Sequence, residues 1–331
     1  MTPAHDTPAR VLVTGATGLL GAALVARLRG RGATVTALAR DPTRALAAVP
    51  GLARAWPWCA EAPVPPEALA EALSEVDSVV HLAGEPVVGR WTAAKRRAIR
   101  DTRVEGTRRL VDALAASPRR PATLVAASAI GLYGDRGDEV LTEASPPGAG
   151  FLAEVCQAWE GEAARARDLG VRVVHLRIGL VLDPAGGALG AMLAPFRLGL
   201  GGPLGPGRQW WPWIHRDDLT DLLELALVRD DLDGPLNATA PEPARQADLA
   251  RALARTLGRP AVLPAPSLAL RLALGGFSDE LLTSRRVLPW RALELGHTFR
   301  FPRLDAALAD LLGRPRRVDA PPPRVGVGAA P

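Results

Sequence analysis

The chain has 331 residues, 48% of them apolar and 23% charged, with 33 Gly and 31 Pro; this composition allows a sizeable core and excludes collagen-like, mucin-like and wholly disordered chains. No apolar run approaches the roughly 18 residues of a membrane-spanning helix, the start MTPAHDTPAR lacks a basic segment followed by an apolar one, and two cysteines, Cys59 and Cys156, cannot build a disulfide scaffold or a four-cysteine zinc site, so a cytoplasmic protein without a membrane partner is expected. The net charge of +5 rests almost wholly on arginine, because Lys95 is the only lysine, and the arginines are interleaved with Asp and Glu rather than gathered in a stripe, so no nucleic-acid partner is expected.

Residues 1–10 read as a leader. Val11-Leu12-Val13 is a short apolar strand stopped by Thr14-Gly15. Residues 19–31 have helical spacing through Leu20, Leu24 and Leu28, ended by Gly30 and Gly32. Residues 34–38, rich in β-branched side chains, predict a second strand. A loop over 60–66, a short helix over 67–74 and a strand over 78–82 follow. Next come a helix over 91–116, a strand over 123–127, a helix over 151–169 and a strand over 171–178. Strands alternating with helices predict an α/β fold, a Rossmann doubly wound parallel sheet over 11–183 with both faces covered. Beyond 183 the chain turns rich in Gly, Pro and Trp, with helices expected over 219–228, 246–257, 268–274 and at the end of 299–313. We read 184–313 as a smaller C-terminal α/β substrate lobe and 314–331 as a disordered tail.

Gly15-Ala16-Thr17-Gly18-Leu19-Leu20-Gly21 lies between a strand and a helix. Gly15 permits a tight turn. Gly18 lets backbone N–H groups approach a pyrophosphate, and Gly21 lets the helix pack closely on the sheet. The helix start then offers free donors and a positive dipole end to phosphate. Thr17, Leu19 and Leu20 complete this candidate cofactor turn. The second strand ends Ala37-Leu38-Ala39-Arg40-Asp41. With Ala39 in the slot where an NAD-binding domain places its acid, Arg40 can face a 2′-phosphate, which favours NADP. Asp41 keeps NAD open if the register differs by two.

These residues, with His81-Leu82-Ala83-Gly84 and Ser128-Ala129-Ile130-Gly131-Leu132-Tyr133-Gly134, resemble the extended short-chain dehydrogenase/reductases. More narrowly, the chain is similar to an atypical nucleotide-sugar-epimerase-like family, which pairs an NAD-dependent epimerase/dehydratase domain with a short C-terminal domain. The segments at 82–91, 151–160, 195–219 and 236–243 carry that closer match, within a resemblance running from about residue 11 to 313. The resemblance implies that Leu82, Ala83 and Gly84 pass along the adenine-ribose side and that Val181 lies near the nicotinamide. It also puts Arg103 where extended members have Asn. Arg103 is then either a phosphate contact or a helix-surface arginine.

Typical members carry Ser or Thr, Tyr and Lys, the last two spaced Tyr-x-x-x-Lys, so that the lysine lowers the tyrosine pKa for proton relay. Here the single tyrosine, Tyr133, has Gly137 four places on, and Lys95 lies upstream of it. Matching the helix at Glu160 puts Leu152 at the tyrosine slot and Cys156 at the lysine slot. Matching at Tyr133-Gly134 puts Ala129 at the serine slot, with Ser128 one place off. Substitute catalytic candidates are His215, Cys156, Ser128 and Tyr133. Each has an alternative structural reading, as loop support, inert thiol, packed hydroxyl and structural tyrosine. Glu143 and Glu154 read as surface or capping acids. Trp210, Trp211 and Trp213 are either core anchors or a wall against a flat substrate. His5, His81, His175, His215 and His297 show no metal spacing, so no metal is expected; no Gly-x-Ser-x-Gly elbow occurs. The expected activity is that of an NADP-dependent oxidoreductase or epimerase-like protein on a small carbonyl or sugar-like substrate; the alternative is a non-catalytic NADP(H) sensor.

Overall fold

The computed structural model describes residues 9–60 and 66–313. Residues 1–8, most of the loop expected over 60–66 and the tail expected over 314–331 lie outside the described residues. Seven parallel strands form the central sheet: β1 (Arg10–Thr14), β2 (Thr34–Ala39), β3 (Arg54–Pro57), β4 (Ser78–His81), β5 (Thr123–Ala129), β6 (Arg172–Ile178) and β7 (Gly234–Ala238). Their spatial order is β3-β2-β1-β4-β5-β6-β7. The order reverses beside β1, so the crevice for a ligand opens at the carboxyl ends of β1 and β4.

Covering both faces explains the continuous apolar runs. Val11, Leu12 and Val13 are fully buried, though their side chains alternate between faces. On one face, α1 (Leu19–Gly30) and α7 (Arg216–Val228) pack together against the sheet. Leu24 and Leu28 join Leu219, Leu222 and Leu223 in this core, each fully buried leucine contributing about 1.5–3 kcal/mol. On the other face, α3 (Pro66–Ser74) and α4 (Ala93–Ala116) contribute Leu69, Leu73, Leu110 and Leu114. A third core lies in the C-terminal part, among α6 (Gly187–Arg197), α8 (Gln246–Leu257) and the last helix, Leu304–Leu311.

Several expectations need correction. The chain does not leave the sheet at 183, because α7 and β7 both return to it. Strand β7 reads poorly because it contains Pro235, which an edge strand tolerates and a central strand does not. Helix α6 is hidden by two glycines and an internal Pro195, yet it packs through Leu189, Leu193 and Phe196 at helical spacing. Strand β3 and α2 (Pro42–Ala48) are short and also escape the periodicity. The helix expected over 151–169 is α5 (Phe151–Ala164) followed by a 3₁₀ turn, Arg165–Leu169.

Candidate functional site

A cavity of about 280 Å³ opens at the ends of β1, β2 and β4. Its wall contains Gly15, Thr17, Gly18, Arg40, Leu82, Ala83 and Gly84 from the expected cofactor set, together with Trp58, Cys59 and Ala60 after β3. The glycines are demanded by contact. At Gly15, φ is +71°, and a Cβ there would lie 3.0 Å from the backbone of Leu82 and Ala83. A Cβ on Gly21 would lie 2.2 Å from the Gly15 carbonyl oxygen, so Gly21 sits behind the turn rather than in the cavity wall. Gly18 caps α1 with no side-chain acceptor, and no acid stands in the first turn. The first N–H groups of this 12-residue helix therefore have no side-chain cap, which suits an anion.

The floor is held by a buried relay. Thr14 Oγ1 accepts from the Leu82 and Ala83 N–H groups, each at 3.1 Å, and lies 2.8 Å from His81 Nδ1. Its one hydrogen therefore goes to Nδ1, so His81 carries its proton on Nε2 and donates to Thr107 Oγ1 at 3.0 Å. Burial pushes His81 down to about 4 and keeps it neutral. The edge of Trp58 meets the His81 ring at 5.8 Å. Sequence reasoning missed His81 in this role and Trp58 as a wall. The signal for Trp58 was Trp56-Pro57-Trp58-Cys59 at the point where a third strand must end.

At the end of β2, Arg40 is exposed and lines the cavity. Asp41 instead accepts the Arg44 N–H at 3.0 Å and caps α2. The carboxylate that kept NAD open is thus spent on a helix terminus. Arg103 lies beside Gly84, with its guanidinium carbon 3.2 Å from where a Gly84 Cβ would stand. Its Nη1 donates to the Glu85 and Ile99 carbonyls at 2.9 and 3.2 Å. It also lies over the Trp159 ring at 5.1 Å. Burial pulls its pKa down, but no carboxylate pairs with it among the described residues, because Glu85 is taken by Lys95 at 2.5 Å. Val181 sits in a short parallel pair, Leu180–Leu182 with Trp213–His215. Leu19 and Leu20 open α1.

The catalytic candidates have structural partners. Ser128 donates to Glu160 at 2.6 Å, and Glu160 accepts two hydrogen bonds from Arg177, each at 2.9 Å. Arg177 Nη1 also donates to the Tyr133 hydroxyl at 2.9 Å, and that hydroxyl donates to Asn237 Oδ1 at 2.7 Å. Burial pushes Tyr133 up to about 12, even with Arg177 beside it. Cys156 is buried, and desolvation pushes its thiol up to about 11. His215 is fully buried, stacks on Phe301 at 3.8 Å and accepts the Asp217 N–H through Nδ1, capping α7. Its Nε2 lies 3.5 Å from Asp310. Ligand-type atoms of His215, Asp217 and Asp310 fall within 4.8 Å of one another, a grouping that sequence spacing does not reveal. Asp217 also pairs with Arg216 at 3.2 Å, so the group works as a helix cap closed by an ion pair.

Glu143, expected at the surface or a cap, is buried and accepts the Asn237 and Arg291 N–H groups. Glu154 is exposed in the first turn of α5. Trp213 and Trp211 are core anchors whose indole N–H groups donate to Glu242 and Leu281 carbonyls. Trp210 lies between Arg245 and Arg286, at 4.1 and 4.9 Å from its ring. Leu152, at the tyrosine slot, packs against an apolar cluster of Trp91, Ile99 and Phe277. That cluster joins α4 and the loop before it to the C-terminal part.

The family model for the NAD dependent epimerase/dehydratase family matches residues 11–237, and one for a domain of unknown function, DUF1731, matches 265–311. The chain is 40% identical over 313 residues to the chloroplastic epimerase family protein SDR39U1 homolog of Arabidopsis thaliana, covering 91% of this chain and 86% of that protein. It is 37% identical to the human epimerase family protein SDR39U1, over 92% of this chain and 99% of that one. The crystal structure of human SDR39U1 (isoform 2) with NADPH superposes with a TM-score of 0.82 at 35% identity, covering 92% and 99% of the two chains. A nucleoside-diphosphate sugar epimerase from Corynebacterium glutamicum gives a TM-score of 0.73 at 38% identity, covering 93% of this chain and 59% of that one.

Proposed function

This chain belongs to the NAD-dependent epimerase/dehydratase family, and from that premise we propose that it binds NADP(H) and acts as an NADP-dependent oxidoreductase or epimerase-like enzyme on a small carbonyl or sugar-like substrate. The carrying observation is one cavity with an uncapped helix start at one place and Arg40 at another. The crystal structure of the similar human protein with NADPH supports the same reading. Bound nicotinamide would supply or accept hydride. The α1 amides hold the pyrophosphate, and Arg40 pairs the 2′-phosphate with its planar fork. Arg103, which has no carboxylate partner among the described residues, would turn its remaining donors to the phosphates. Leu82, Ala83 and Gly84 wall the adenosine side, and Val181 borders the nicotinamide.

Proton transfer cannot follow the Tyr-x-x-x-Lys scheme, because Leu152 and Cys156 stand in those slots. It would pass through water or a non-tyrosine group. Equilibrium titration tests the reading: NADPH binds at least tenfold more tightly than NADH, and equal affinities overturn the Arg40 assignment.

A specific observation favours a second reading, a cofactor sensor without chemistry. Ser128 and Tyr133 are both spent on the buried Glu160–Arg177 network. A panel of carbonyls and nucleotide sugars, followed by NADPH absorbance, separates the two. Turnover on any member supports the enzyme, and silence across the panel supports the sensor.

A further inference from the structure

We propose that the C-terminal part carries a peripheral docking surface for an anionic lipid bilayer, formed by α9 (Ser267–Leu274) and the two segments beside it. Ten large apolar side chains are exposed among the described residues, and six of them fall here: Leu198, Leu200, Val262, Leu263, Leu268 and Leu272. The segments are neighbours. Pro260 lies 3.8 Å from where a Gly199 Cβ would stand, the Leu263 N–H donates to the Gly201 carbonyl, and Leu204 bridges Ala265. Helix α9 buries none of its residues. Leu268 and Leu272 share one face a turn apart and are 69% and 70% exposed. The helix is nevertheless fixed in place. Its Leu272 and Leu274 carbonyls accept from Arg90 Nη1 and the Trp91 N–H.

Charge selects the occupant. The stretches 197–200, 259–263 and 266–274 contain Arg197, Arg259 and Arg271 and no acid. All three arginines are exposed. Among the described residues Arg197 and Arg259 have no carboxylate partner, and Arg271 has only Asp279 at 3.8 Å. A second copy docking by a two-fold axis would bring two copies of this acid-free, arginine-bearing patch together, with no carboxylate in it to pair the arginines. Protein-binding hot spots favour Trp, Tyr and Arg over Leu. A leucine face rimmed by arginines is the pattern of a helix lying in a membrane interface. No helix of the described residues is long and apolar enough to cross a membrane, so the contact is superficial. This docking surface departs from the expectation of no membrane partner, which rested on the absence of a long apolar run; an interfacial helix requires no such run.

The test is co-sedimentation of the full chain with vesicles of phosphatidylglycerol and phosphatidylcholine, or of phosphatidylcholine alone. Binding is expected to the anionic vesicles and to fall at least tenfold in the Leu268→Ser/Leu272→Ser double variant, which keeps every arginine, the basic tail and NADPH affinity. No binding of the parent chain, or equal binding by the variant, overturns the proposal. Sedimentation velocity on both proteins covers the competing occupant. A parent dimer that the variant loses, without vesicle binding, assigns the surface to a second copy and also overturns it.

Discussion

Two arginines, Arg40 in the cavity wall and Arg103 beside the wall residue Gly84, can be separated by what each would touch. Arg40 stands at the end of β2, where only the 2′-phosphate distinguishes the two dinucleotides. Arg103 stands beside Gly84, near the part both cofactors share. Arg40→Ala should therefore weaken NADPH at least tenfold and leave NADH nearly unchanged, whereas Arg103→Met should weaken both by similar factors. Fluorescence titration with both dinucleotides checks this, and a selective loss of NADPH in the Arg103 variant would reverse the assignment. A second residue-scale prediction concerns the buried pair. Desolvation works to raise the Glu160 pKa, but the hydrogen bonds and charge of Arg177, with the Ser128 hydroxyl, outweigh it and leave it lowered. Glu160→Ala strands a guanidinium whose side chain is 9% exposed, so a loss of about 3–5 kcal/mol is expected. Urea denaturation would measure it; a change under about 1 kcal/mol would mean that water reaches Arg177 freely.

At the scale of elements, Asp41 serves helix capping rather than cofactor choice. Its carboxylate accepts the Arg44 N–H at the start of α2. Asp41→Ala should cost about 1 kcal/mol of stability, seen as a lower melting temperature, without moving the ratio of NADPH to NADH affinity. A shift of that ratio toward NADPH would show that the carboxylate faces the ribose after all. The sequence made the first half of the fold legible because a parallel sheet covered on both faces needs short continuous apolar runs at strand positions and 3.6-residue spacing between them. It hid α6 and β7 because glycine and proline carry two meanings, breakers in a helix or central strand but acceptable where packing or an edge position overrides propensity. The turn of Gly15, Gly18 and Gly21 was readable because each glycine answers a contact with backbone. The fate of Ser128, Tyr133 and Glu143 was not readable, because their partners come from 32 to 148 residues away, and only folding brings them together.

At the scale of the whole fold, three buried histidines and the half-buried His297 among the described residues set how stability responds to acid. Desolvation pushes His81 and His175 down to about 4 and lowers His215 and His297 as well. An unfolded histidine binds its proton near the ordinary imidazole value of 6.5. The folded pKa is thus depressed, so the contribution of these groups is full above about 6.5 and is lost as pH falls toward 4, because the unfolded chain takes up protons first. Each such histidine adds a slope of up to about 1.4 kcal/mol per pH unit. Glu143 and Asp218 oppose this, since burial raises both carboxyl groups and their protonation favours the folded form. Four histidines against two acids leave a net loss, and between pH 6.5 and 5 the histidines dominate because that window begins at their unfolded pKa. The urea midpoint should therefore fall steadily from pH 7.5 through 6 to 5. The variant His81→Gln, which cannot titrate, should show a shallower fall by close to one proton. A midpoint that stays level or rises over this range would mean that the two buried carboxyls, not the imidazoles, govern the acid response of the fold.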